Sequence, residues 1–338
     1  MQRLTVNLVS ESEFSVQGHG VHTAYLEMRY LLEKQSEINL LVNAKPLDDT
    51  DITHIHTIGL FSLRRLLSRH GGKKIVSAHM VPDSLVGSIV GARWWLPLFS
   101  RYLCWFYNHA DTLIAVSPYT KQVLLKLGIK APIVVINNSI DTYAYQTSTE
   151  QKTKLRRELH LSPNKFIVIG SGQIQPRKRF STFIQVAATL PKFQFIWVGG
   201  IPFKAAGSDY LGLNHLIKHH PKNVLITGVV PQAEARKYTR AADAMFMPSI
   251  QETFGLSIVE GAASGLPVVV RDIADYNATF GQDVLRGDEH NFTELIQSLA
   301  DDPNFYRKYQ QKSHHLAQKY DSSHTASKLL AVYRKLAH

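Results

Sequence analysis

The chain has 338 residues, 44% hydrophobic and 19% charged, which suits two domains of ordinary size, each with its own core. Its one cysteine, Cys104, excludes an internal disulfide framework and a cysteine-held zinc cluster, and a reducing, cytosolic setting follows as the expectation. The net charge of +11 calls for a polyanionic partner or surface; beyond residue 150 lie 24 of the 38 basic and 15 of the 27 acidic residues, so that half alone carries +9. No block matches a zinc finger, an RNA-binding aromatic motif or a basic zipper, so nucleic acid is not an expected partner.

Read in chain order, the opening MQRLTVNLVS is a short basic cap and a strand, unlike a secretory leader and too short to span a membrane. Short β-rich runs then alternate with amphipathic stretches, the pattern of parallel sheets with helices on both faces, an α/β fold. The first half predicts strands at Leu4–Ser10, Ile38–Asn43, Ile52–His56, Lys74–His79, Thr112–Ser117 and Ile133–Ile136. After the first of these, SESEFSVQGHGVHTAYLEM turns into a helix near Val21, where Gly18 and Gly20 allow close backbone approach to a ligand. The full glycine fingerprint of dinucleotide binders is missing, and His19 and His22 read as orienting or structural residues. His79 ends the strand KKIVSAH, and in open parallel sheets ligands gather outside such carboxyl ends. Asp49 and Asp51 form a D-x-D pair that reads as a turn, and no metal site is expected.

Between Asn137 and Gln151 apolar periodicity is lost, and a domain join is predicted there. Two Rossmann-like halves result, residues 1–145 and residues 146–322, followed by a last helical stretch over residues 323–338. The second half predicts strands at Phe166–Gly170, Phe193–Val198, Val224–Gly228, Ala244–Met247 and Val268–Arg271. Directly after the first of these comes SGQIQPRKRF, in which Gly170 and Gly172 let the chain turn beneath a ligand, and Arg177, Lys178 and Arg179 supply cations at the mouth of a helix.

The most informative stretch is PSIQETFGLSIVEGAASGLPVVV, Pro248 to Val270. Pro248 ends a buried strand, a loop carries Glu252, and Leu256, Val259 and Ala263 follow at helical spacing until Gly265 and Pro267 stop them. A helix start at Phe254, Gly255 and Leu256 leaves unpaired N–H groups and a positive dipole end where a diphosphate is stabilised. Glu252 precedes that start and Glu260 lies a turn or so beyond it, so one carboxylate can serve a sugar and the other a ribose.

The E-x7-E spacing of Glu252 and Glu260, with FGL between them and GLPVVV after, resembles the retaining family 4 glycosyltransferases of the GT-B fold. The resemblance implies two Rossmann-like domains facing each other across a cleft, with the last helix, Ser323–His338, crossing back to the first. It implies Glu252, His79 and Lys178 as catalytic residues, and Gly20, Gly172, Arg177, Lys178, Phe254, Gly255, Leu256 and Glu260 as donor-binding ones. Family members commonly carry an arginine where this chain has Gln173, and Arg177 is the candidate substitute. His54 and His56, in DITHIHT, read as packing and support. No cofactor is implied beyond the sugar nucleotide substrate.

The acceptor is read from Val90–His109, VGARWWLPLFSRYLCWFYNH, which concentrates three of the four tryptophans. Arg93, Pro97 and Arg101 interrupt it, so it cannot span a bilayer; it is either a buried helix or one that lies on a membrane through Arg93, Trp94, Trp95 and Trp105. The chain is most similar to bacterial glycolipid synthases of the family. That implies transfer of glucose or galactose from a UDP-sugar to diacylglycerol or a monoglycosyl-diacylglycerol, by a cytoplasmic protein peripherally bound to the anionic inner face of the cell membrane. The alternatives are a same-fold enzyme acting on a polysaccharide, teichoic acid or protein-linked sugar, and an idle binding module.

Overall fold

The structure, a computed structural model, describes residues 3–14, 20–85, 92–201 and 209–337, with the backbone alone at Asp83, Leu85, Ala92 and Arg93. In chain order the first elements are β1 (Leu4–Val9), α1 (Gly20–Glu33), β2 (Ile38–Val42), β3 (Ile52–Ile55), α2 (Leu60–Leu66), β4 (Lys73–Ala78), α3 (Ala92–Asn108), β5 (Thr112–Ala115), α4 (Pro118–Lys126) and β6 (Ile133–Val135). There follow α5 (Thr149–Glu158), β7 (Ile167–Ser171), α6 (Phe180–Thr189), β8 (Gln194–Val198), α7 (Tyr210–Lys218), β9 (Val224–Ile226), α8 (Gln232–Ala241) and β10 (Ala244–Met247). The chain closes with α9 (Leu256–Ala263), β11 (Val268–Arg271), α10 (Ala274–Phe280), β12 (Leu285–Gly287), α11 (Phe292–Asp301), α12 (Pro303–Lys319) and α13 (Ser322–Ala337).

Two compact units result, and the chain passes between them after Ser139 and again after Lys319. The first is a parallel six-stranded sheet in the order β2-β1-β3-β4-β5-β6. Its strands read as apolar runs because both faces are covered. Val6 and Leu8 point toward α1 and α13, where Tyr25, Leu32, Leu329 and Tyr333 pack; the next residue, Val9, points to the other face with Leu103, Phe106 and Leu124. The final helix thus completes the core of the first unit.

The second unit is also a parallel sheet, in the order β12-β11-β10-β7-β8-β9. Phe180, Phe183, Phe195, Trp197, Phe246 and Phe292 fill one of its faces. Every predicted strand forms; the short edge strand β12 is an addition. From β7 the chain moves outward through β8 and β9, then returns to place β10 on the other side of β7. The carboxyl ends of β7 and β10 therefore flank the switch point of this sheet, where ligands of open α/β sheets bind.

Candidate active site

At the exit of β7, Gly172 has φ +135° and φ of this sign favours glycine. Its N–H donates to Val198 O at 2.9 Å, and its carbonyl accepts from the Trp197 indole at 2.9 Å. The space where a Cβ would stand lies 3.3 Å from Lys178 Cε and Nζ, so the absent side chain makes room for the lysine. A single 3₁₀ turn, Pro176–Lys178, and a left-handed Arg179 (φ 53°) then lead into α6.

The exit of β10 supplies the partner. Glu252 is 6% exposed and Lys178 8% exposed, and Lys178 Nζ donates to Glu252 Oε1. The other carboxylate oxygen lies 3.4 Å from Arg177 Nη1, which also reaches Gln251 O at 3.3 Å. The Ile250 N–H donates to Arg177 O at 2.9 Å, so backbone as well as side chains join the two loops. Burial alone would raise the Glu252 pKa, but Lys178 and Arg177 outweigh it and hold the carboxyl below its usual range. Burial pulls the Lys178 ammonium down, against the opposing pull of Glu252. Ser249 and Tyr276, both buried, adjoin this carboxylate, and among the described residues both amide atoms of Gln251 lack a hydrogen-bond partner. Buried polar atoms left so are costly, and a polyhydroxylated ligand would satisfy them.

Gly255, with φ +85°, turns the chain into α9, and its carbonyl accepts from Ile258 N at 3.0 Å. Phe254 is buried edge-on against Phe280, which anchors this start, and Leu256 is the first helical residue. Glu260, half-buried one turn on, is close enough to favour the charged form of Lys178. The unit therefore gathers Gly172, Arg177, Lys178, Glu252, Phe254, Gly255, Leu256 and Glu260 at its switch point. Gln173 takes part through a chain of bonds: Arg177 Nε donates to Gln175 Oε1 at 3.1 Å, and Gln175 Nε2 to Gln173 Oε1 at 3.0 Å.

His79 lies in the first unit, as does Gly20, which opens α1 and, among the described residues, has no neighbouring atom within 4 Å of where a Cβ would stand. Gly18 and His19 lie outside the described residues. His79 Nε2 is 3.0 Å from His56 Nδ1 with the rings stacked; beneath them His54 bonds Tyr333 OH at 2.6 Å and Ser77 Oγ at 2.8 Å. Burial pushes the His54 pKa down to about 3, and burial with its two histidine neighbours pushes His56 well below its usual value, so both are neutral at pH 7. His56 thus supports His79 through this contact, and among the described residues its own Nε2 has no partner.

Helix α3 serves two environments. Leu103, Phe106 and Tyr107 are buried in the first unit, while Trp94 is 91% exposed, Leu98 70% and Trp105 43%, with Arg101 beside them. Trp95 turns inward to pack edge-on against Phe99 at 5.5 Å, and the Arg93 side chain lies outside the description. Among the described residues no helix is long and apolar enough to cross a membrane.

Comparison with known proteins gives the family and the fold. The family pattern described as "Glycosyl transferases group 1" matches residues 151–315, and that described as "Glycosyltransferase Family 4" matches residues 13–143. The chain is 30% identical to the alpha-galactosylglucosyldiacylglycerol synthase of Streptococcus pneumoniae over 99% of its own length and 91% of the relative's. It is 30% identical to the processive diacylglycerol alpha-glucosyltransferase of Acholeplasma laidlawii, with 88% of each chain covered. Its fold is similar to that of Anabaena HepE, solved with UDP-glucose (TM-score 0.76, 18% identity, 99% of this chain and 100% of that one). It is similar as well to sucrose-phosphate synthase from Thermosynechococcus elongatus (TM-score 0.79, 16% identity, 99% of each chain).

Proposed function

The chain belongs to the group 1, family 4 glycosyltransferases and has their GT-B fold, and on that premise we propose that it is a retaining hexosyltransferase moving glucose or galactose from a UDP-sugar to a membrane lipid, diacylglycerol or a monoglycosyl-diacylglycerol. The observation that carries the donor reading is the buried Lys178–Glu252 pair with Arg177 beside it, at the switch point of the second sheet. When the donor enters, its diphosphate competes for Lys178 and Arg177, and the amide end of α9 receives the remaining charge. Glu252, released from the lysine, accepts hydrogen bonds from sugar hydroxyls, together with Ser249, Gln251 and Tyr276. Glu260 accepts from the ribose.

The acceptor hydroxyl attacks the anomeric carbon on the face the nucleotide leaves. The new bond from the acceptor oxygen forms as the bond to the β-phosphate oxygen breaks, and the hydroxyl proton passes to that departing oxygen. Charge growing on the diphosphate is met by Lys178, Arg177 and the α9 start, held in place before reaction, which is how such groups lower a barrier. His79, steadied by His56, is assigned to the transferred sugar and acceptor. With two cations in the site the reading calls on no metal, and turnover in excess EDTA should match turnover without it.

The lipid acceptor is supported by the names of the two full-length relatives and by the exposed Trp94, Leu98 and Trp105 face of α3. Aromatic side chains favour the headgroup boundary, and the excess positive charge favours anionic lipid. In this reading the protein works from the cytoplasm, peripherally bound to the inner face of the membrane. The test is incubation with UDP-glucose or UDP-galactose and liposomes containing diacylglycerol or a monoglycosyl-diacylglycerol, followed by mass spectrometry of the lipids. Consumption of a soluble sugar, teichoic acid or protein-linked acceptor with no glycolipid formed would overturn the lipid assignment.

A further inference from the structure

Outside the site, one carboxylate ties its two loops together. Arg271, at the end of β11, places its guanidinium flat against Glu289, with Nη1 donating to Oε2 at 2.6 Å and Nη2 to Oε1 at 2.6 Å. The third Arg271 nitrogen, Nε, donates to Pro248 O at 2.9 Å, at the root of the loop that carries Glu252. Glu289 Oε1 also accepts from Arg179 Nη2 at 3.1 Å, and Arg179 is the left-handed residue immediately after Lys178. The guanidinium face of Arg271 lies 5.5 Å from the Phe292 ring centre, which fixes its plane from the other side.

We propose that Arg271 and Glu289 are positioning residues for transfer, a clamp that sets the distance between the Lys178 turn and the Glu252 loop from behind the site. A two-pronged arginine–carboxylate contact has a fixed geometry that a lysine cannot reproduce, and here the third guanidinium nitrogen is committed to the loop itself. A left-handed, non-glycine backbone such as Arg179 persists only when its surroundings hold it, and the bond from its side chain to Glu289 helps to do so. The Arg271 bonds, against the cost of burial and with help from Arg179, pull the Glu289 carboxyl down to about 2, so the clamp stays charged at every pH at which the enzyme would work.

This inference rests on the donor reading of the Lys178–Glu252 site, and the experiment separates the two. Initial rates with UDP-glucose and lipid acceptor, UDP titration by calorimetry and thermal denaturation are measured for the wild type and for Glu289→Gln, Glu289→Asp, Arg271→Lys and Lys178→Ala. The clamp predicts that Glu289→Gln and Arg271→Lys lower kcat by about 10- to 100-fold, the scale set by a displacement of about 1 Å. KM for UDP-glucose should shift less than threefold, and Glu289→Asp should recover part of the loss. Wild-type kcat in both clamp variants while Lys178→Ala is inactive overturns the clamp alone. A lower melting temperature with unchanged kcat per folded molecule does the same. If Lys178→Ala keeps both turnover and UDP affinity, the donor reading falls and the clamp with it.

Discussion

Lys178 and Glu252 stand 74 positions apart in the chain and form one buried ion pair, each delivered by the loop after a different strand of the same sheet. A buried pair of this kind is a poor device for stability, because desolvating two charges costs about as much as their attraction returns. Its presence at a switch point, beside two buried hydroxyls and a Gln251 amide that has no partner among the described residues, is better explained by what a ligand would do there than by the fold.

The pair should therefore behave as a unit in a double-mutant cycle. Lys178→Met and Glu252→Met each strand a buried charge and should cost roughly 3–5 kcal/mol. The glutamate variant should cost more, because it leaves both Arg177 and Lys178 without their shared carboxylate. The double variant should recover about 1–3 kcal/mol of the summed loss, and all three should be inactive. Urea denaturation supplies the numbers. Strictly additive costs would mean that the two side chains do not share the interaction described.

Arg177 and Gln173 give a second test. The bonded chain Arg177–Gln175–Gln173 links the arginine to the position where family relatives commonly have theirs. Arg177→Ala should lower kcat/KM by about 100-fold, the usual scale for removing one group that meets developing charge. Adding Gln173→Arg in that background should restore roughly tenfold of it. Near-normal rates for Arg177→Ala would remove the guanidinium from the donor site.

The stacked histidines of the first unit predict how stability responds to acid. His54 and His56 have folded pKa values far below the ordinary 6.5, so below that pH the unfolded chain takes up protons that the folded one refuses. Stability is then full above pH 6.5 and falls as pH drops toward 3. His54 alone contributes a loss of about 1.4 kcal/mol per pH unit, or roughly 2 kcal/mol at pH 5, and His56 adds to it in the same direction. Thermal denaturation between pH 7 and 5 should show this slope, and His56→Gln should reduce it. A melting temperature flat over that range would contradict the buried neutral stack.

How much of this was legible in the sequence depends on whether the signal is local. Strands such as IVIG, AMFM and VVV announce themselves because both sheet faces are covered, whereas the edge strand Leu285–Gly287 is three residues long with an arginine and a glycine, and has no period to read. The Glu252–Glu260 spacing was visible because one loop and one helix carry both. The Arg271–Glu289 clamp and the hydroxyls of Ser249 and Tyr276 were not, since they come together only once β10, β11 and the following turns are folded. The role of His56 was hidden for a related reason. Its contact with His79 depends on β3 lying beside β4 with His54 opposite Ile75, a register that no property of either strand alone dictates.

The aromatic helix offers the last prediction. Trp94, Leu98, Arg101 and Trp105 recur at i, i+4, i+7 and i+11 on one side of α3 and are exposed, whereas Trp95 is held by Phe99. Of the four residues first assigned to the membrane, Trp94 and Trp105 should thus carry binding and Trp95 should matter to packing. Inserting one tryptophan ring is worth about 1.4 kcal/mol or more, so Trp94→Ala should weaken partition onto anionic liposomes by at least about tenfold. It should leave the melting temperature unchanged, since the ring touches little of the protein. Trp95→Ala should do the reverse, lowering the melting temperature with a smaller effect on flotation. If Trp94→Ala and Trp105→Ala together float with anionic vesicles as the wild type does, the exposed face of α3 has some other partner.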